Sequence, residues 1–450
     1  MEKFSKKEYL KLNYPTEDDP ISDERRIRSA LLVLGYSAVI FPISVLKKLY
    51  PLCRNAEFRI TVTLVRREWD WVITDVEAGD TRYHHYGLAV DYGSTTIIMQ
   101  LVDLNSGVIV GEEKIVNGQT AYGTDILSRI TYALANESHL DDLHRVTVRS
   151  FEQLFSALTE STGIAASWCP IMIVSGNTTM IHFLLKLDAW SVFASPYAPV
   201  VTNPGFLHGS ELGMDFNGIV YMIPAASNYI GGDIVSGLLD VNLHNSDDIS
   251  LFFDIGTNGE LVIGNREWLI AGAGAAGPAL EGYISKYGMR AAPGAVDAVK
   301  INESDLLYTT IDDQKPVGIC GSGIIDLIAQ MRLNGWINIA GELNPRASDR
   351  IMWMEAEGEY AAVYAMPEES LSGQYLYFSQ TDINQYLDTK AAAYTMVECL
   401  MESAGIGFDQ LSHLYLSGAF AAHSNLESAI TVGIFPDLPR ERYSVRKNTS

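Results

Sequence analysis

One pattern occurs twice in this chain. Val90–Thr96 reads VDYGSTT, a buried strand that ends on Asp91 and turns at Gly93; Phe253–Gly259 reads FDIGTNG, with Asp254 and Gly256 in the same places. Each is followed by two more strands joined by a tight turn, Asn105-Ser106-Gly107 in the first copy and Gly264-Asn265 in the second. Farther on, each copy has a strand that runs into Ser-Gly and then a helical stretch, CPIMIVSGN (Cys169–Asn177) and HLYLSGAFAAH (His413–His423). Asp and Ser are 84 residues apart in the first copy (Asp91 to Ser175) and 163 in the second (Asp254 to Ser417). A diverged duplication of this kind commits the chain to two related α/β lobes. The longer spacing predicts an insertion at residues 290–380.

An aspartate at a strand end beside a glycine turn suits a phosphorylated ligand. Gly93 lets the backbone approach a phosphate without a Cβ in the way. Successive N–H groups around such a turn form a nest for an anion. The hydroxyls of Ser94, Thr95 and Thr96 can donate to phosphate oxygens, and Asp91 offers a hard oxygen to Mg²⁺. Asp254, Gly256, Thr257 and Asn258 repeat the set. Two such turns facing each other would clamp a polyphosphate; two ordinary β-hairpins with Asp-x-Gly turns are the plainer alternative. LYLSGAF (Leu414–Phe420) puts small residues where a flat adenosine ring can lie against the backbone. In the first-copy counterpart, Asn177 and Thr178 suit a ligand or a helix N-cap equally. GICGSGIIDLI (Gly318–Ile328) would place helix N-terminal amides, at Gly321 and Ser322, near a phosphate; a close-packed helix start is the alternative.

Charge separates the front of the chain from its body. Residues 1–85 hold 14 Lys+Arg against 13 Asp+Glu, whereas residues 86–450 hold 18 against 42. The organisation expected is therefore a module at 1–85, a first lobe at 86–249 and a second at 250–450. Within the module, residues 1–24 read as polar and loosely held, 25–55 as a helical pair, and Arg59–Val65 with Trp69–Val76 as a β-hairpin. The largely apolar stretch Ser29–Leu46 is interrupted by Gly35, Ser37, Pro42 and Ser44. Two short buried helices fit it better than a membrane span of about 20 residues.

The net charge of −23 argues against a nucleic-acid or anionic-membrane binder. Cys53, Cys169, Cys320 and Cys399 are far apart, with no CxxC, so no iron–sulfur cluster or disulfide framework is expected in this chain, and a reducing cytoplasm is the simplest compartment. There is no G-x-x-x-x-G-K-[ST], H-E-x-x-H or G-x-S-x-G. GAGAAG (Gly272–Gly277) fits G-x-G-x-x-G but follows the third strand of a meander, the wrong context for a dinucleotide.

VDYGST, FDIGTN and YLSGAF, in that order, resemble the two phosphate motifs and the adenosine motif of the acetate and sugar kinase, heat-shock chaperone and actin superfamily. More narrowly, YGTDILSRI (Tyr122–Ile130), SGNTTMIHFLL, DIGTNGELVIGN, AAGPALEG, YGMRAAPGA and GICGSGIIDLI resemble the reductive activators of corrinoid proteins. The likeness implies a duplicated actin-like, ribonuclease-H-like α/β ATPase with a small N-terminal α+β linker module. It implies ATP and Mg²⁺ bound in the cleft between two lobes, and ATP-supported reduction of Co(II) to Co(I) in a corrinoid protein or corrinoid-dependent methyltransferase. Carried over by motif, Asp91, Gly93, Ser94 and Thr95 would hold phosphate and Mg²⁺ on one side, and Asp254, Gly256, Thr257 and Asn258 on the other. Gly418, Ala419 and Phe420 would neighbour the adenosine. A homodimer is also implied.

The sequence departs from that family in three places. No cysteine cluster is present, so a separate ferredoxin-type donor is expected to supply electrons. Tyr92 stands where a small aliphatic residue is usual. The chain ends at RKNTS, where the family continues into a Gly/Ala-rich helix, so the C-terminus is expected to be cut short. The alternatives are a nucleotide-sensing module without catalysis and a small-molecule kinase of the same fold. The activators of radical dehydratases, which share a cluster between subunits, would need more cysteines near Cys320.

Overall fold

The computed structural model describes residues 3–256, 259–274, 282, 284–302 and 305–446. They form two compact units that divide after Ser236.

The first unit opens with the linker module. Strand β1 (Ser5–Lys11), helix α1 (Asp23–Val33), β2 (Val39–Ile40), α2 (Ile43–Asn55), β3 (Arg59–Arg66) and β4 (Trp71–Ala78) follow in order. The sheet runs β1-β3-β4-β2. The helical pair and the hairpin were legible in the sequence. The loose front segment is corrected: Ser5–Lys11 is a full edge strand, antiparallel to β3 with Ser5 opposite Val65 and Lys11 opposite Arg59. Five of its seven residues are polar, because an edge strand of a half-covered sheet needs few inward side chains. Buried Leu10 supplies one. The buried hydroxyl of Ser5 supplies the other anchor, donating to Leu64 O at 3.0 Å and accepting from His85 Nε2 at 2.8 Å. Burial and the charges of Lys7 and Lys3 push His85 down to about 4, so the ring is neutral. The expected burial of Ser29–Leu46 is corrected as well: α1 and α2 form, but only one side of each is covered.

The first lobe follows with β5 (Tyr86–Tyr92), β6 (Thr96–Asp103), β7 (Val108–Val116), α3 (Ile126–Ala135), α4 (Glu137–Thr162), β8 (Ile171–Ser175), α5 (Thr178–Leu184), the single turn α6 (Trp190–Phe193), β9 (Phe206–His208) and β10 (Ile219–Met222). Helix α7 (Gly232–Asp240) carries the chain across the division. Strand order is β7-β6-β5-β8-β10-β9. The antiparallel meander β5–β6–β7 gives the alternating pattern of half-covered strands, and the parallel strands β5, β8 and β10 give apolar runs. Val65 of the module packs with Ile171 and Ile219 of this sheet, and Phe4 lies 5.7 Å from the Tyr221 ring, so module and lobe share a core.

The second unit repeats the order. Strands β11 (Ser250–Ile255), β12 (Gly259–Gly264) and β13 (Leu269–Gly274) form the meander. An added region then comprises β14 (Ala295–Asn302), β15 (Asp305–Thr310), β16 (Gly318–Ile319), α8 (Gly321–Leu333), β17 (Ile351–Met354), β18 (Glu359–Ala365) and β19 (Leu376–Ser379). Helix α9 (Gln380–Ala404), β20 (His413–Ser417), α10 (Gly418–His423), α11 (Leu426–Val432) and β21 (Tyr443–Val445) complete it. The main sheet runs β13-β12-β11-β20-β21, the order of the first lobe without its extra edge strand. The added residues make two three-stranded sheets, β15-β14-β16 and β17-β18-β19. Helix α8 closes the open edge of β14 with side chains: Asp326 Oδ2 accepts from Val299 N at 3.3 Å and Gln330 Oε1 from Ile301 N at 3.1 Å. Both amides would otherwise be buried and unpaired. Among the described residues, no helix is long and apolar enough to cross a membrane.

Candidate functional site

Asp91 is the last residue but one of β5, on the edge from which the parallel strands leave the sheet. Its register partner on β8 is Ser175. In the other unit Asp254 is the last residue but one of β11, and its partner on β20 is Ser417. The two copies therefore agree residue for residue, although 84 and 163 positions separate each Asp from its Ser.

The glycine after each serine reaches the same place. A Cβ on Gly176 would lie 2.9 Å from Tyr92 O, and one on Gly418 would lie 2.3 Å from Ile255 O and 3.0 Å from Asp254 Oδ1. Gly418 also has φ +91, which side-chain-bearing residues rarely adopt. The strand-to-helix bend thus presses its backbone onto the Asp-x-Gly turn in both units. At Gly93 a Cβ would meet Thr96 O at 2.6 Å, so the turn itself is too tight for a larger residue.

Tyr92, unusual for this position, points into the lobe because neighbouring strand residues face opposite sides. Its ring is fully buried edge-on to Phe151, 5.5 Å between centroids. Its hydroxyl is 2.7 Å from Thr147 Oγ1 and accepts from Gln119 Nε2 at 3.0 Å. Burial raises its pKa, so it is a neutral core residue.

Two contributors escaped the sequence reading. Asn117, fully buried after β7, holds the turn from behind: its Nδ2 donates to Gly93 O at 2.8 Å and its backbone N–H to Thr95 O at 2.8 Å. In a trans peptide, C=O and N–H point opposite ways. With Gly93 O drawn toward Asn117, the Ser94 N–H faces away from it, as an anion nest requires. The only signal was an Asn-Gly pair closing the third strand. The second contributor is Gly231-Gly232-Asp233 at the start of α7. Gly232 N donates to Gly176 O at 2.9 Å, and a Cβ on Gly231 would meet Asn177 Cα at 2.4 Å. Asp233 therefore stands beside the Ser-Gly bend, signalled by paired glycines before an acidic helix start.

In the first unit, then, Asp91, Gly93, Ser94, Thr95 and Thr96 share one turn, with Gly176 and Asp233 beside it. In the second unit Gly418 meets Asp254 and Ile255, with Gly256 next in the chain. Asp254 is held by a hydrogen bond from Ser417, yet burial raises its pKa above the ordinary aspartate value. A buried carboxylate of that kind suits a bound cation. Among the described residues no cluster of three or more His, Cys, Asp or Glu is placed to hold a metal ion. Mg²⁺ bound with a nucleotide commonly takes only one or two carboxylates, the rest being phosphate and water.

Thr257 and Asn258 lie outside the described residues, as does most of Gly272–Gly282; of Ala419 and Phe420 only the backbone is described. At the head of α8, Gly321 is buried and Ser322 half-buried, its Oγ 3.3 Å from Cys320 Sγ. A Cβ on Gly323 would meet Val296 O at 2.3 Å, so part of that glycine run serves the packing of α8 on β14. Asn177 caps α5, accepting from Met180 N at 2.9 Å. Within YGTDILSRI, Asp125 caps α3 by accepting from Ser128 N, and Arg129 Nε donates back to Gly123 O at 2.9 Å. Cys53, Cys169 and Cys320 are buried, and burial pushes the Cys53 and Cys169 thiols up to about 11 and 12.

The likeness to known proteins covers the same three regions. Residues 1–83 match the RACo linker region, 86–246 the RACo middle region and 248–450 the C-terminal domain of RACo, the ASKHA domain. A solved structure, the reductive activator for corrinoid, iron–sulfur protein, superposes with TM-score 0.87 at 34% identity, over 99% of this chain and 72% of that one. The corrinoid activation enzyme RamQ of Eubacterium limosum is 27% identical over 361 residues, 78% of this chain and 60% of RamQ. The [Co(II) methylated amine-specific corrinoid protein] reductase of Methanosarcina barkeri is 23% identical over 381 residues, 78% of this chain and 66% of the reductase. The chain thus spans 60 to 66% of the length of these curated relatives. With the three regions matched in order and one third of its residues shared with a solved member, this chain belongs to the RACo family of corrinoid-protein reductive activators.

Proposed function

We propose that this protein is an ATP-dependent activator that supports reduction of Co(II) to Co(I) in a corrinoid protein. Phosphate oxygens would be taken by the Ser94 N–H and the hydroxyls of Ser94, Thr95 and Thr96, and, as the family likeness implies, by Gly256, Thr257 and Asn258. By the family likeness, Gly321 and Ser322 would face the phosphates and Gly418, Ala419 and Phe420 the adenosine. Asp91 and Asp254 would be the carboxylates that hold Mg²⁺, and the ion would supply charge neutralisation at the phosphates. The raised pKa of Asp254 fits that role: a cation would offset the burial that otherwise disfavours its charged form. Binding and release of nucleotide bias the chain between conformations with different affinity for the corrinoid partner. The electron balance is simple: one electron leaves a reduced iron–sulfur protein and Co(II) becomes Co(I), with no proton taken up.

The observation that carries the nucleotide half is the repeated register, Asp91 with Ser175 and Asp254 with Ser417, each closed by a glycine pressed onto the turn. Identity of 34% over 99% of the chain to a reductive activator supports the corrinoid half. The test mixes this chain, ATP with Mg²⁺, titanium(III) citrate and a Co(II) corrinoid protein, and follows the Co(I) absorbance. Co(I) should appear only with ATP and should be lost with Asp254→Asn. Equal Co(I) with and without ATP would end the reading.

A further inference from the structure

The two helices of the linker module bury one side and leave the other bare. Helix α1 buries Ile27 and Leu31, and α2 buries Val45, Leu49 and Cys53. On the outer side Leu32, Val33, Leu34, Ile40, Ile43, Leu46 and Tyr50 are exposed, Val33 by 87%, Tyr50 by 68% and Ile43 by 66%. Single exposed apolar residues are ordinary; seven large ones within the 19 positions Leu32–Tyr50, on the two helices and the segment joining them, mark a contact surface. Arg54 of α2 pairs with Asp23 of α1 at 2.6 Å, and Arg28 ties α1 to the segment leading into α2, donating to Val39 O at 2.8 Å with its guanidinium 4.9 Å from the Phe41 ring.

The charges around this face indicate its partner. Its acids are already committed: Asp23 to Arg54, Glu24 to Arg28 and Asp75 to Lys48. Among the described residues the side chains of Arg25 and Lys47 make no ion pair, so the face keeps an unbalanced positive rim. Residues 86–450 carry 42 acidic against 18 basic residues and repel an acidic protein, whereas residues 1–85 are near neutral. A second copy would present the same unpaired Arg25 and Lys47 to this face and supply no complementary charge.

We infer that this face docks an acidic protein electron carrier, apolar at the centre of its contact and rimmed by carboxylates. The inference rests on the proposed reading, in which the electron comes from a separate iron–sulfur protein. The test uses the full chain and a small acidic iron–sulfur ferredoxin, with affinity measured by calorimetry at low and high salt. Val33→Glu with Ile43→Glu, and separately Lys47→Glu, alter only exposed side chains, and circular dichroism should report an unchanged fold. The ferredoxin should bind, more weakly at high salt, and each variant should lose at least about tenfold in affinity. No binding, or equal binding by the variants, overturns the inference. So does a native dimer that the same variants dissociate, since a second copy would then own the face. Cobalt reduction with titanium(III) citrate bypasses the carrier, so the variants should match the native chain there. Failure of that assay in the native chain would condemn the activator reading and leave the docking measurement interpretable.

Discussion

In the first unit Ser175 of the Ser-Gly bend pairs with Ser236 of α7, 3.0 Å between hydroxyls; in the second, Ser417 donates to Asp254 itself. The bends also differ in strain. Gly418 sits at φ +91, where a Cβ would meet the Ile255 carbonyl at 2.3 Å and the Asp254 carboxylate at 3.0 Å, whereas Gly176 has ordinary φ and a Cβ there would meet the Tyr92 carbonyl at 2.9 Å and side chains at 3.4 Å or more. Behind the turns, the first copy has Tyr92, Thr147 and Gln119 in a closed polar knot, and the second has Ile255 in an apolar core. The duplicated register has survived, and the partners that hold it have diverged. Only the geometry of Asp, Gly and Ser has stayed constant, as expected if that geometry serves a ligand and the rest serves each lobe's own packing.

Substitutions can break this comparison. Gly418→Ala should have the largest effect, on the order of 3 kcal/mol, since it adds a left-handed φ penalty to a backbone collision. Gly176→Ala should cost closer to about 1 kcal/mol, and equal costs in urea denaturation would refute the asymmetry. Asp254→Asn and Asp91→Asn should each weaken Mg²⁺–ATP binding on the order of 100-fold if both copies serve one ligand. Calorimetry showing loss from only one would reduce the other copy to a structural hairpin. Tyr92→Phe should cost about 1 kcal/mol of stability and leave ATP affinity unchanged, because its hydroxyl serves the core. A drop in ATP affinity would contradict that placement.

The smallest effect concerns pH. The folded-state pKa of Asp254 is raised, so its ionisation costs stability. That cost is absent below the ordinary aspartate value, develops as pH rises from there to the raised folded value, and is complete above it. Asp254→Asn without nucleotide should therefore be at least as stable as the native chain at pH 7, the difference shrinking toward pH 4. A difference that grows on acidification would reverse the sign and remove the burial argument.

Most of the architecture was legible before any coordinates. Both meanders, the Ser-Gly strands and the helical pair follow from periodicity and turn residues, which act over a few neighbours. Three features were misread or missed for one shared reason. Ser5–Lys11 looked loose because its pairing partner lies 48 to 60 residues away at Arg59–Val65. Asn117 looked like a turn residue, since nothing nearby in sequence says that its amide meets Gly93 O. Ser29–Leu46 looked buried because apolar residues usually are; that one side stays uncovered depends on what packs there, not on the residues themselves.

By itself the sequence determined where the Asp-x-Gly turns and Ser-Gly strand ends fall and how often the pattern recurs, because glycine turns, strand ends and apolar alternation are local properties of the chain. Tertiary structure alone decided that Asp91 stands beside Ser175 and Asp254 beside Ser417, and that Tyr92 faces inward. It also decided that Gly418, far along the chain, closes on a carboxylate at Asp254. Register and close approach arise from strands meeting across long stretches of sequence, and no local pattern encodes which strands will meet.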